Sequence, residues 1–130
     1  MLLSIDDNKT IGDLQDRFNE CFPFLKIEFY DVRHKWQKIS PSADVISLDK
    51  KIGEIRKNHN SGIFEIKSWY KTGKVEQDFR HLFGLYVQIF FIENGEWVQS
   101  VSADDLTLGY LNETGEKEFE KDNGKTRNKE

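Results

Sequence analysis

The 130-residue sequence predicts an α+β fold, two fused β-α-β-β-(short α) repeats sharing one mixed sheet with helices on one face. Three observations carry this expectation. Apolar residues recur at helical spacing twice, as Ile11, Leu14, Phe18, Cys21, Phe22 and as Val75, Phe79, Leu82, Phe83. Each set is followed by a strand-like run, at 26–30 and 85–92. The two stretches also match each other at an offset of 60 or 61. Gly12, Phe18, Phe22, Leu25 and Trp36 recur as Gly73, Phe79, Phe83, Leu85 and Trp97, and the block from Ser42-Ala43-Asp44 to Leu48 recurs from Ser102-Ala103-Asp104 to Leu108.

The elements follow in order. Leu2-Leu3-Ser4-Ile5 reads as a first strand, and 63–69 is its counterpart. Thr10 and Asp13 stand in capping-box relation at the start of the first helix, and Pro23 stops it. The second helix starts at Lys71-Thr72-Gly73-Lys74 and ends at Gly84, a residue suited to the left-handed turn after a helix. Residues 26–30 alternate like a half-buried strand, whereas 85–92 is longer and more apolar, as a central strand should be. Asn94-Gly95 marks a hairpin turn into a strand at 97–101. Ser47 is placed to cap a helix bearing Leu48, Ile52 and Ile55, and its counterpart after Thr107 is expected to last two turns. Within each repeat, strand–helix–strand should form a right-handed parallel crossover. Repeat one then covers about 1–60 and repeat two about 61–115 of a single duplicated domain. The tail at 116–130, with five acids, five bases and one large apolar residue, Phe119, is expected to be disordered.

The run Phe83-Gly84-Leu85-Tyr86-Val87-Gln88-Ile89-Phe90, followed by Trp97 and Leu106-Thr107-Leu108, resembles small uncharacterised bacterial proteins with that order of residues. That resemblance implies no activity. In strand-and-helix content alone the chain is also similar to β-grasp, ubiquitin-like modules, an analogy of architecture.

Composition narrows the function classes. Nineteen basic residues against 23 acidic ones give a net charge of −4, and aromatic residues, ten of them Phe, supply core area. No apolar run reaches the roughly 18 residues of a membrane span, and the N-terminus lacks a signal-peptide pattern. Lone Cys21 agrees with a cytoplasmic setting and reads as a small buried hydrophobe. His34, His59 and His81 show no metal spacing, so neither metal nor other cofactor is expected. Lys71-Thr72-Gly73-Lys74 lacks the glycines of a phosphate loop. Asp44, Asp104 and Asp105 fall in the repeated block and are read as turn or capping residues, not as paired catalytic carboxylates. The chain is not expected to be an enzyme.

Charge distribution points to binding. Residues 33–57 hold Arg33, Lys35, Lys38, Lys50, Lys51, Arg56 and Lys57 against three acids, whereas 75–111 hold Arg80 against six. The candidate binding residues are Arg33, Lys35, Trp36 and Lys38 of a basic hairpin, with Trp97 next. Both Trp36 and Trp97 are readable either as anchors or as core residues at the repeat junction. The function expected is a protein-interaction or regulatory module meeting an acidic protein partner. The alternatives are single-stranded nucleic-acid binding, disfavoured by the acidic net charge, and a small-molecule site between the repeats. A monomer, or weak self-association of basic hairpin on acidic hairpin, completes the expectation.

Overall fold

The computed structural model describes residues 1–30 and 46–128, the side chains of 101–102 and 122–128 apart. The candidates Arg33, Lys35, Trp36 and Lys38 therefore lie outside the described residues. The elements are β1 (Leu2–Ile5), α1 (Ile11–Cys21), β2 (Leu25–Tyr30), a 3-10 turn (Ile52–Glu54), β3 (Gly62–Glu65), α2 (Thr72–Phe83), β4 (Tyr86–Glu93), β5 (Glu96–Gln99), a second 3-10 turn (Ser100–Ala103) and α3 (Leu108–Asn128). The α+β class stands.

Local signals act where the residues place them. Thr10 Oγ1 accepts from Asp13 N–H at 3.1 Å, and Thr10 N–H donates to Asp13 Oδ2 at 3.0 Å, closing the capping box of α1. Gly84 ends α2 at φ 65°, and its N–H donates to Arg80 O at 3.0 Å. Asn94 at φ 54° and Gly95 at φ 79° turn β4 into β5, the double positive φ of a two-residue hairpin.

Strand pairing differs from the expected mixed sheet. Among the described residues every pair is antiparallel. β1 pairs with β3 in a two-stranded sheet, and β2-β4-β5 form a three-stranded one with β4 central. No parallel crossover joins β1 to β2. The inward faces explain the choice of partner. Leu3 stands opposite Phe64 and Ile27 opposite Ile89, and all four are buried. A slip of one residue would turn those apolar sets outward. Leu3, Ile5, Phe64, Ile27, Phe29, Ile89 and Phe91 join Leu14 and Phe18 of α1, Val75 and Phe79 of α2, and Leu108 and Leu111 of α3 in one core. Leu82, expected on the buried face of α2, is exposed.

One backbone pattern occurs twice. Ile11 N–H donates to Lys50 O, Gly12 to Leu48 O, Ile52 to Lys9 O and Gly53 to Asp7 O. In the other half Thr72 N–H donates to Leu106 O, Gly73 to Asp104 O, Leu108 to Tyr70 O and Gly109 to Ser68 O. The partners within 7–12 differ from their counterparts by 61 positions and those within 48–53 by 56. Position 48 thus corresponds to Asp104, and Ile52-Gly53 to Leu108-Gly109. The expected match of Ser47-Leu48 with Thr107-Leu108 is off by four residues, while Ser42-Ala43-Asp44 lie outside the described residues. The strands keep the same relation: Leu3 pairs with Phe64 and Glu28 with Gln88, residues 61 and 60 apart.

Two helical expectations change. The segment after Ser47 forms only a turn and the short 3-10 turn at Ile52–Glu54. Conversely α3 continues through the stretch expected to be disordered, as far as Asn128. Tertiary contacts of its first half explain this. The Phe119 ring lies 5.7 Å from that of Phe24, and Gly95 N–H donates to Glu118 Oε1 at 2.7 Å. Asn112 Oδ1 accepts from Phe24 N–H at 2.8 Å. Gly115 lets the helix approach, since a Cβ there would stand 2.8 Å from Phe24 Cβ. Among the described residues no helix is long and apolar enough to cross a membrane.

Candidate functional site

Two features stand out among the described residues: an exposed aromatic set and a small cavity with charged residues on its lining. The aromatic set arises where two loops run side by side. Leu108 N–H donates to Tyr70 O and Gly109 N–H to Ser68 O, which brings residues 68–70 against 106–110. This region presents Trp69 (67 % exposed), Tyr110 (56 %) and Leu106 (40 %). Lys67 Nζ lies 5.6 Å from the Trp69 ring and Lys74 Nζ 4.7 Å from that of Tyr70. These lysines also have acidic partners: Lys67 pairs with Glu65, Lys71 with Asp105 at 4.0 Å and Lys74 with Asp78 at 2.6 Å.

The other half supplies an internal control. The same four hydrogen bonds hold its loops, yet the positions of Trp69, Tyr70, Leu106 and Tyr110 are taken by Asn8, Lys9, Lys50 and Glu54. The backbone arrangement therefore does not demand aromatic side chains. Sequence reasoning missed Trp69 and Tyr110. The signal was the offset of 61, which sets Trp69 against Asn8.

The cavity, about 120 Å³, is lined by Gly73, Glu76, Gln77, Arg80, Tyr86, Val87, Gln88 and Asp104. All of these lie in the second half, so this cavity is not between the halves, where the alternative small-molecule site would fall. The Glu76 carboxylate reaches inward from α2. Its Oε2 accepts from Ile89 N–H at 2.8 Å, Gln88 Nε2 at 3.0 Å and Ser100 Oγ at 3.2 Å. Burial nevertheless dominates and pushes its pKa up to about 7, helped by the nearby Asp104 charge and opposed by the bonds from Ile89 and Ser100. Asp104 also sits above the ordinary carboxylate range, through burial and then through Asp105. Its Oδ1 is sealed from solvent and has no hydrogen-bond partner. Asp104 is in a turn, as expected, but packs against Gly73, where a Cβ would stand 3.2 Å from its own. At the corresponding place in the first half Gln15 replaces Glu76 and donates to Ile27 O at 2.7 Å.

Of the sequence candidates only Trp97 is described. It lies on β5 opposite Ile92, is 43 % exposed, and has Lys26 Nζ 5.2 Å from its ring. It is a partly open surface residue. Arg56, counted in the basic run, is not available to a partner. Its side chain is fully buried, and Nε and Nη2 donate to Asp7 Oδ1 at 3.0 and 2.8 Å. Nη1 donates to Asn60 O at 2.7 Å and Phe83 O at 2.9 Å, tying the loop after β1 to the end of α2. The Arg56 and His59 contacts hold the Asp7 carboxyl below its usual range, although burial opposes them. Cys21 is free and partly buried against the core, with Arg17 Nη1 3.4 Å from its sulfur. Among the described residues no cluster of three potential metal ligands occurs.

The comparisons with known proteins decide nothing further. No family model, no curated protein and no solved structure matches the chain.

Proposed function

We propose that the chain is an internally duplicated, non-catalytic protein-interaction module. The carrying observation is that one hydrogen-bonded loop pair occurs twice and has no aromatic side chain in the first half, where Leu48 is its exposed apolar residue, but bears Trp69, Leu106 and Tyr110 in the second. A fold requirement would act on both copies alike. Exposed Trp and Tyr supply large, stiff contact area and are favoured as binding anchors. The pairing of Leu3 with Phe64 and Glu28 with Gln88 supports the duplication, because each residue meets its own counterpart. The reading retains the basic segment of Arg33, Lys35, Trp36 and Lys38 as a second docking element for an acidic protein, with Trp97 as the next candidate. It also includes a cytoplasmic setting and a monomer or weak self-association. Single-stranded nucleic acid fits less well, since Lys67, Lys71 and Lys74 are matched by acids.

The test is quantitative affinity capture from source-cell lysate with the intact chain, W69S/Y110S, and R33E/K35E/K38E. A partner recovered by wild type is then purified and titrated directly against all three. Loss of its binding in W69S/Y110S, with unchanged thermal unfolding, supports the aromatic set. Loss in the charge variant supports the basic segment. Equal binding of all three, or no saturable partner, sinks the interaction reading.

A further inference from the structure

The cavity between α2, β4 and the turn at Asp104 has a charge arrangement that its own residues leave incomplete. Glu76 and Arg80 are one helical turn apart on α2, a spacing at which oppositely charged side chains readily meet. Here they do not pair. Glu76 Oε2 takes all three of the carboxylate's hydrogen bonds, from Ile89, Gln88 and Ser100, and among the described residues Oε1 accepts none. Arg80 Nη2 lies 3.3 Å from His81 Nε2, and among the described residues no acid forms an ion pair with Arg80. Asp104, also on the lining, carries a solvent-sealed acceptor without a donor, Oδ1. Such a group is costly unless something donates to it. Two acceptor groups of one sign and one guanidinium thus line the same cavity without neutralising each other.

We propose that this cavity binds a small zwitterion bearing an ammonium and a carboxylate group, as in a short α-amino acid. The Glu76 and Asp104 carboxylates take the ammonium, and Arg80 takes the ligand carboxylate. An ammonium offers three donors, enough for the Glu76 and Asp104 carboxyl groups together. A guanidinium presents the fork that matches a carboxylate. Gln77 and Tyr86 add polar lining. The size agrees. About 120 Å³ is room for roughly four waters, and so for a molecule the size of alanine. Asp104 raises the proton affinity of Glu76, and a cation placed between the two relieves that repulsion. The first half lacks the set, with Gln15, Asn19 and Leu48 where the second has Glu76, Arg80 and Asp104. This inference stands apart from the interaction reading and does not depend on it.

The experiment is a 1H–15N NMR titration of the full chain at pH 8, above the titration of Glu76 near pH 7, with L-alanine, and with ethylamine and propionate as separate half-molecules. Saturable shifts centred on the amides of Gly73, Glu76, Gln88 and Asp104 are expected at millimolar L-alanine. D104N and R80M each remove one arm and should weaken binding by about tenfold or more, the loss of one charge-assisted hydrogen bond. Each variant reports a different arm, so misfolding of one leaves the other as the test. The proposal is overturned if no saturable shift occurs, if shifts centre elsewhere, if a folded D104N or R80M binds as wild type does, or if either half-molecule binds as tightly as alanine.

Discussion

Replacing Glu76 by glutamine should flatten the pH dependence of stability between pH 4.5 and 7. In the folded chain this carboxyl keeps its proton up to about pH 7, against 4.5 for the ordinary group. Below 4.5 folded and unfolded chains both hold the proton, and well above 7 neither does. The folded state binds more protons in between, so stability falls as pH rises through that window. The difference is worth about 3 kcal/mol once the pH is well above 7. The exposed carboxyls of Asp7, Asp13, Asp49 and Glu65 are lowered instead, so their contribution is lost as pH falls into the acid range, in the opposite direction. Comparing E76Q with wild type removes those common effects. Glutamine keeps an oxygen to accept from Ile89 N–H and Ser100, and Gln15 already occupies the corresponding helical position. Urea unfolding of both proteins across the window gives two stability curves. The advantage of E76Q should grow by about 3 kcal/mol from the acid to the alkaline end, leaving it the more stable protein above pH 8. Parallel curves, or a variant that loses ground as pH rises, would refute the assignment of a buried, proton-holding Glu76.

Other substitutions test the framework. Arg56→Ala removes a buried guanidinium with four hydrogen bonds and should cost about 3 kcal/mol in denaturant unfolding; a loss within experimental error would show that the link from Asp7 to Phe83 O contributes little. Gly84→Ala forces a Cβ to 2.9 Å from Asn58 Cβ at a positive φ and should destabilise by at least about 1 kcal/mol, read as a lower thermal midpoint. Phe119→Ala removes the ring packed on Phe24 and should lower the helical circular-dichroism signal, at a cost of about 1 kcal/mol; an unchanged signal would mean that α3 does not need this contact.

The parts of the fold legible in the chain are those whose cause is local. The Thr10–Asp13 cap, the stop at Gly84 and the Asn94-Gly95 turn each involve residues within a few positions, and each forms as read. The recurrence of Gly12 and Phe18 as Gly73 and Phe79 was legible too, but the match of Ser47-Leu48 with Thr107-Leu108 misled, because those residues align by chemistry and not by hydrogen bond. Trp97 was legible as a hairpin aromatic, whereas no local pattern marks Glu76 among the acids of 75–111 as buried.

The amino-acid sequence by itself determined the positions of most helices and strands, the hairpin, and the need for one apolar core. Tertiary structure alone decided that β1 pairs with β3 and β2 with β4, that α3 extends past Phe119 over Phe24, that Arg56 is buried, and that Glu76 and Asp104 share a cavity with Arg80. The division follows from range. Propensity, capping and turns are settled by neighbours in sequence, whereas the partner of a strand and the dielectric around a carboxylate depend on groups brought together from distant parts of the chain.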